Sequence, residues 1–394
     1  MHVLERPGIA RHVAKLFASV GAVVTVLAGL VMWAHPAAAK TQNPTYAVSV
    51  VLSGKSLHHT YTKAGSAKQY SETLSSPDDI TRLDGHLFTA FQNGVGPQGQ
   101  AAADGNRDST VVEFTTGGTV LHQWDLRGKV DGLTADRRSG LVVATANEDA
   151  NSSLYTIRPT IDLVAHYRYN KPLPHHGGTD AISFDNGMML ISASAPGTTG
   201  AAAPQPSYPA VYAVFLNKHN HVAYVHALFY DESNATAANG PHSGHPVKLG
   251  LTDPDSNEIV PSFEARFAGD FMLTSQGDKE QIYVNDPAGP HQHLWVLGLS
   301  QSVDDTAWST SWHGSFYATS TGDDTVDVIK GSFPPGTAFV SVTPCDANNA
   351  PSTCPGPGFP DNYLGQLNMF TGHITQVAVR GAALHPQGMI FVAS

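Results

Sequence analysis

The chain has 394 residues and carries 22 Lys and Arg against 33 Asp and Glu, a formal net charge of −11 at pH 7. A surface this acidic repels phosphate backbones, which excludes nucleic acid as an expected partner and favours cations. With 41% hydrophobic residues, 37 Gly and 26 Pro, the chain can bury a large core while turning often, as many short strands require.

The N-terminal segment reads as an address. Arg6, Arg11 and Lys15 precede an uncharged, mostly apolar run from Leu16 to Trp33, and Ala37-Ala38-Ala39 follows as a small-residue cleavage site. A signal peptide over residues 1–39 is expected. The alternative is a retained anchor, since the 18-residue run approaches the ~20 residues that span a bilayer. No Cys ends the run, so a lipid anchor has no attachment point there. Cleavage would remove three basic residues and one acid, leaving 19 against 32 and a net charge of −13.

Beyond the leader a unit recurs: a polar start, an alternating apolar strand, a Gly-containing turn and a second apolar strand. It is seen in DDITRLDGHLFTAF from Asp78, DGLTADRRSGLVVAT from Asp131, DAISFDNGMMLISAS from Asp180, DDTAWSTSWHGSFYATS from Asp304 and RGAALHPQGMIFVAS from Arg380, with an irregular copy from about Asp255. A second hairpin follows each regular copy but the last, and also the irregular one, starting at Ser109, Ser152, Pro209, Glu280 and Tyr363. Two hairpins make a four-stranded blade, so the expected fold is all-β, a single β-propeller over residues 40–394. Six blades is the expected count, with seven as the alternative if the strand at Asp324 and the insertion after it hide another. Strands at Tyr46 to Tyr61 have no inner hairpin, and the last inner hairpin has no outer one. Pairing of the two chain ends would therefore close the ring and leave no open sheet edge.

Segments such as VDGLTADRRSGLVVATANED and RGAALHPQGMIFVAS resemble inner hairpins of the NHL-repeat and gluconolactonase-like propellers, loosely over Asp78 to Ser394. The resemblance implies the architecture. Those families hold metal-dependent lactonases, a lyase and proteins that only bind, so function stays open between them.

In such a blade the innermost strand starts at the face where the second strand ends. Asp78, Asp131, Asp180, Asp304 and Arg380, with Asp255, Asn257 or Glu258 in the irregular copy, should then share one channel mouth with Gln92, Asn93, Asn147, Glu148, Asp149, Gln276, Asp278 and Asp323. Crowded carboxylates and amides suit Ca²⁺. The competing reading is that each Asp bonds backbone N–H groups and locks neighbouring blades together. His175-His176 and His242 with His245 lie in loops leading to inner strands, and with Asp180 they would suit Zn²⁺ or Cu²⁺ less strongly. Arg380, Gln92, Asn93 and Gln276 are the expected ligand-binding groups. His58, His59, His291 and His293 should lie away from the mouth.

Gly-x-Ser-x-Gly, His-Glu-x-x-His and a complete phosphate loop are all missing from the sequence. The expected function is an exported, monomeric module binding a protein or small molecule at the channel mouth. The alternative is a metal-dependent hydrolase or lyase of lactonase type. The location would be the periplasm or extracellular space, with no membrane span after cleavage.

The two Cys, Cys345 and Cys354, lie in TPCDANNAPSTCPGPG, and an oxidising compartment allows them to close a short loop. Intact-mass and peptide mapping of the exported protein should therefore show an N-terminus at Lys40 and Cys345 bonded to Cys354, stabilising by at most roughly 3 kcal/mol. Two alkylatable thiols would count against the staple.

Overall fold

The structure is a computed structural model that describes residues 46–174, 177–194, 208–345 and 361–394. The expected leader and Cys354 lie outside the described residues. No helix among those described is long and apolar enough to cross a membrane.

The described chain is a β-propeller of six blades. Blade 1 runs Pro77–Leu83, His86–Phe91, Asp108–Phe114 and Val120–Arg127, and blade 2 runs Val130–Asp136, Leu141–Ala146, Ser153–Arg158 and Leu163–Tyr169. Blade 3 runs Ile182–Asp185, Met188–Ser192, Pro209–Asn217 and Val222–Tyr230. Its outer strand bridges that of blade 2 through Arg168–Val222 and Tyr169–Ala223, joining the two into one sheet. Blade 4 consists of Pro254–Ile259, Phe271–Ser275, Glu280–Asn285 and His293–Gly298, with a further hairpin, Asn234–Ala237 and Pro246–Lys248, added to its outer edge. The inner strands of the six blades neighbour one another in a closed cycle.

Period-two sequences give these strands, and burial grades outward from the axis. All six residues of Leu141–Ala146 are buried, whereas outer strand Val120–Arg127 buries only Trp124 and Leu126. The core is six apolar layers, one between each pair of neighbouring blades. Leu83, Phe88 and Trp124 of blade 1, for example, meet Leu133, Val142 and Ile157 of blade 2. Each blade thus buries both faces only when the ring is complete.

Blades 5 and 6 depart from the expected order. Val303–Trp308 does not pair with the strand that follows it; it pairs with Ala338–Val342, and blade 5 continues through Tyr363–Leu367 and Ile374–Gln376. The intervening Gly314–Ser320 and Thr325–Lys330 are the second and third strands of blade 6. The segment from Asp304 is therefore two strands in adjacent blades rather than one hairpin, and the strand at Asp324 belongs to the closing blade rather than a seventh. Nor is the segment from Arg380 a hairpin. Val379–Gly381 is the outermost strand of blade 6, parallel to Tyr46–Ser53, while Met389–Ala393 is the innermost, paired with Gly314–Ser320. Tyr46–Ser53 is the fourth strand, so the two ends of the chain do meet in the closing blade. His58–Thr62 instead pairs with Gln69–Thr73 in a separate hairpin, tied to blade 1 by His59, which contacts Glu72 at 2.9 Å and Asp125 at 3.3 Å.

An aromatic cluster holds the seam. Phe316 is fully buried and lies 4.8–4.9 Å, ring to ring, from Phe333, Phe339 and Phe391; Tyr46 stacks on Phe333. These rings come from blade 5, the middle of blade 6 and both chain ends. Phe316→Ala should lower the unfolding free energy by about 3–5 kcal/mol in a urea titration, the cost of a large core cavity. A loss under about 1 kcal/mol would show that the seam does not depend on this cluster.

Candidate functional site

Four of the six inner strands break register with their neighbour for two residues near their start. Register breaks lie between Pro77 and Ile80, Val130 and Leu133, Pro254 and Asn257, and Val303 and Thr306. The pairs at these breaks are Asp78-Asp79, Asp131-Gly132, Asp255-Ser256 and Asp304-Asp305; Asp180-Ala181 and Gln387-Gly388 occupy the corresponding positions in blades 3 and 6, where backbone bonds to Ser192 and Thr319 keep them on their own blade. All six pairs line a cavity of about 390 Å³ at the mouth where the inner strands start. Gln92, Lys129, Glu148, Asp149, Asp253 and Gln276 also line it, as do Asn257 and Glu258.

The freed backbone is stitched across blades. Hydroxyls of Thr145, Ser192 and Thr319 donate to the carbonyls of Asp180, Asp255 and Asp78, each in the next blade. The second residue of the pair is small where that carbonyl comes close: a Cβ on Gly132 would sit 2.3 Å from the Asp180 oxygen, and one on Gly388 would sit 2.5 Å from that of Asp78. Where the second residue is Asp it locks blades directly. Asp79 accepts from the N–H groups of Ile80 (2.6 Å) and of Leu133 in blade 2 (2.7 Å); Asp305 accepts from Thr306 (2.6 Å) and from Met389 in blade 6 (2.6 Å).

The locking role thus falls to the second acid of the pair, which leaves the first acid facing the channel. Asp131 accepts from Gln92 (2.7 Å) and pairs with Lys129 (2.9 Å) through one oxygen; its other oxygen is buried without a hydrogen-bond partner. Lys129 also pairs with Glu148. Asp304 accepts from Gln276 at 3.1 Å. Lys129 is the one cationic side chain among the described residues that line this mouth. Burial, then neighbouring acids such as Glu148 and Asp78, pushes Asp131 and Asp180 well above the usual carboxylate range, and burial with Asp304, Asp180 and Asp253 does the same to Asp255. Asp78 is pushed up to about 6 by burial, although Lys129 opposes it. The Lys129 ammonium is held well above its ordinary value because Asp131, Glu148 and Asp78 outweigh the effect of its burial.

The other expected positions divide. Asp78, Asp131, Asp180, Asp304, Gln92, Glu148 and Gln276 come together at this mouth. Asn93 and Asn147 do not line it. Both take left-handed conformations (φ 52° and 71°), and their amides cap backbone groups at Ser75 and Lys129. Asp278 is taken up by Thr252 and Ser275. Arg380 is on the exposed outer edge of blade 6, and Gln387 has the position expected for it, because the chain needs Val379–Gly381 as an edge strand before it returns to the axis. His242 and His245 are exposed on the hairpin turn beyond the outer strand of blade 4, since that hairpin extends the sheet outward rather than leading to the axis. His175 and His176 lie outside the described residues. No group of three or more His, Cys, Asp or Glu among the described residues is gathered to hold a metal ion: the acids are spread around the ring.

Sequence reasoning missed Lys129, Asp79, Asp305 and Gln387. The Asp-Asp doublets were visible as such; Gln387 was hidden by the misassigned hairpin. His385, 2.7 Å from Asp323 near the start of the last inner strand, is a further His–carboxylate pair, though neither residue lines the cavity.

The fold and this mouth define a six-bladed β-propeller with an acidic channel. No family model matches the sequence, and no curated protein matches it. Among solved structures, it is similar to one in a nidogen/laminin complex (7% identity, 88% of this chain and 98% of the other, TM-score 0.46). It is also similar to virginiamycin B lyase from Staphylococcus aureus (10% identity, 86% and 96%, TM-score 0.41) and to a putative gluconolactonase (8% identity, 84% and 81%, TM-score 0.40).

Raised carboxylate pKa values make the folded state bind protons that the unfolded chain has released. Their stabilising contribution is full below about pH 4, the unfolded value, and is lost as pH rises through about 6 for Asp78 and Asp305. In EDTA the melting temperature should therefore be higher at pH 5 than at pH 8, by about 2–4 °C or more, and Asp255→Asn should flatten that dependence. A midpoint that rises from pH 5 to pH 8 would contradict the upward shifts assigned to burial and neighbouring acids.

Proposed function

We propose that the protein is a ligand-binding module whose acidic mouth takes a cation, with Ca²⁺ preferred over Zn²⁺ or Cu²⁺. The observation that carries the reading is that five inner-strand aspartates face one opening with Lys129 as their one cationic neighbour, leaving an Asp131 oxygen buried and unpartnered. Oxygen donors of this kind suit a hard ion. Asp78, Asp131, Asp180, Asp255 and Asp304 are spread around the ring, so they would draw the ion into the mouth together rather than close on it as a compact ligand set, and its charge would favour the ionised form of these acids. The cation would in turn give a protein or small-molecule ligand an anchoring point at the mouth. A lactonase-type reaction would need a proton-transferring group beside the ion; His242 and His245, exposed on an outer hairpin, do not supply it, and a carboxylate of the mouth would have to. An exported location and a Cys345–Cys354 staple belong to the same proposal.

A ligand that binds only the folded state stabilises it by about 2.7 kcal/mol at a hundred times its dissociation constant. Melts after EDTA treatment should rise on adding Ca²⁺, and Asp180→Asn should abolish the rise. A response to Zn²⁺ or Cu²⁺ alone would move the site to histidines such as His175 and His176. No response to any of the three ions would remove the cation from the proposal.

A further inference from the structure

The opposite end of the channel is built from different chemistry. A cavity of about 490 Å³ lies there, lined by the hairpin turns of the inner strands, and its walls include Phe184, Trp308 and Phe391 with Arg137 and Arg138. That volume is in the range of small-molecule sites. Both arginines are exposed, and neither takes part in an ion pair among the described residues. In a chain with 33 acids against 22 bases, two adjacent exposed arginines with no ion-pair partner, Arg137 feeling Glu258 only at longer range, concentrate positive charge at this end of the channel.

The turn that carries them is fixed. Asp136 accepts from the N–H groups of Arg138 (3.1 Å) and Ser139 (3.2 Å), which pins the turn and occupies the carboxylate nearest in sequence. Two further residues of the cavity wall hold unused hydrogen-bonding groups. Ser183 is 4% exposed and Trp308 6% exposed, and the Ser183 hydroxyl and the Trp308 indole N–H are buried with no partner. A buried donor left unpaired is destabilising, so a ligand that brings acceptor oxygens gains what the free protein lacks.

We propose that this second mouth binds a small organic monoanion, a carboxylate carried on a flat apolar body. The guanidinium groups of Arg137 and Arg138 hold the carboxylate by charge-assisted hydrogen bonds, and Phe184, Trp308 and Phe391 pack against the body. Ser183 supplies a donor as its hydroxyl turns about χ1. A monoanion fits better than a phosphate dianion because Asp136 and Glu258 share the lining. Burial, with Asp305 adding, pushes Glu258 up to about 8, although the Arg137 guanidinium opposes the shift.

The test uses 2-naphthoate as probe, titrated into the whole protein by calorimetry and tryptophan fluorescence. Its neutral isostere 2-naphthalenemethanol and inorganic phosphate serve as comparisons. Saturable naphthoate binding is expected, at least about tenfold tighter than the alcohol. It should weaken about tenfold or more in the double variant Arg137→Gln, Arg138→Gln, and severalfold in Ser183→Ala. Lys218→Gln, on an exposed outer turn, should bind as the parent does. The double variant changes only exposed side chains, so an unaltered melting midpoint verifies that it is folded. Absence of saturable binding, equal affinity for acid and alcohol, or undiminished binding in the double variant would overturn the proposal; phosphate displacing naphthoate at equal concentration would overturn the monoanion class.

Discussion

Six inner strands converge on one axis, and in four of them a two-residue break in the ladder marks the point where they reach the mouth. An unbroken ladder would keep every peptide group of the inner strand bonded to its own blade. The break frees a carbonyl that a hydroxyl of the preceding blade then takes, as Thr145, Ser192 and Thr319 do. It also turns a short side chain into the channel. Ring closure and the polar mouth are thus two results of one backbone device.

That device sets stability against readiness to bind. Buried carboxylates brought near one another are unfavourable in the charged form, and Lys129 offsets only part of this by pairing with Asp131 and Glu148. The doublets divide the labour. Asp79 and Asp305 accept backbone N–H groups from two blades and serve the ring, while Asp78 and Asp304 face the opening. The fold carries the cost because six apolar layers, from Phe88 and Trp124 at one interface to Phe316 and Phe339 at another, supply the opposing free energy.

Blades 1 to 4 were legible because in them consecutive strands pair, so local turn chemistry and period-two alternation report true neighbours. Asp78, Asp131, Asp180 and Asp304 were legible for the same reason: their place at the start of an apolar strand sets their depth in the ring. The interleaving of blades 5 and 6 was not, since nothing local in STSWHG distinguishes a hairpin turn from a step between blades. Only the long-range pairing of Val303–Trp308 with Ala338–Val342 decides it. Arg380 was misplaced by that error. His242 and His245 failed differently, because a loop's length and polarity do not reveal that it will fold into an added hairpin at the rim.

A propeller whose blades are each one continuous stretch of chain can gain or lose a blade by duplication or deletion of a single gene segment. Here the last two blades cannot be separated in that way, because the chain leaves blade 5 after one strand and returns to it only after laying down the middle of blade 6. Excising either would cut the other. The first four blades remain open to such rearrangement, but the closing pair is inherited whole, and it fixes where any future expansion of the ring could be inserted.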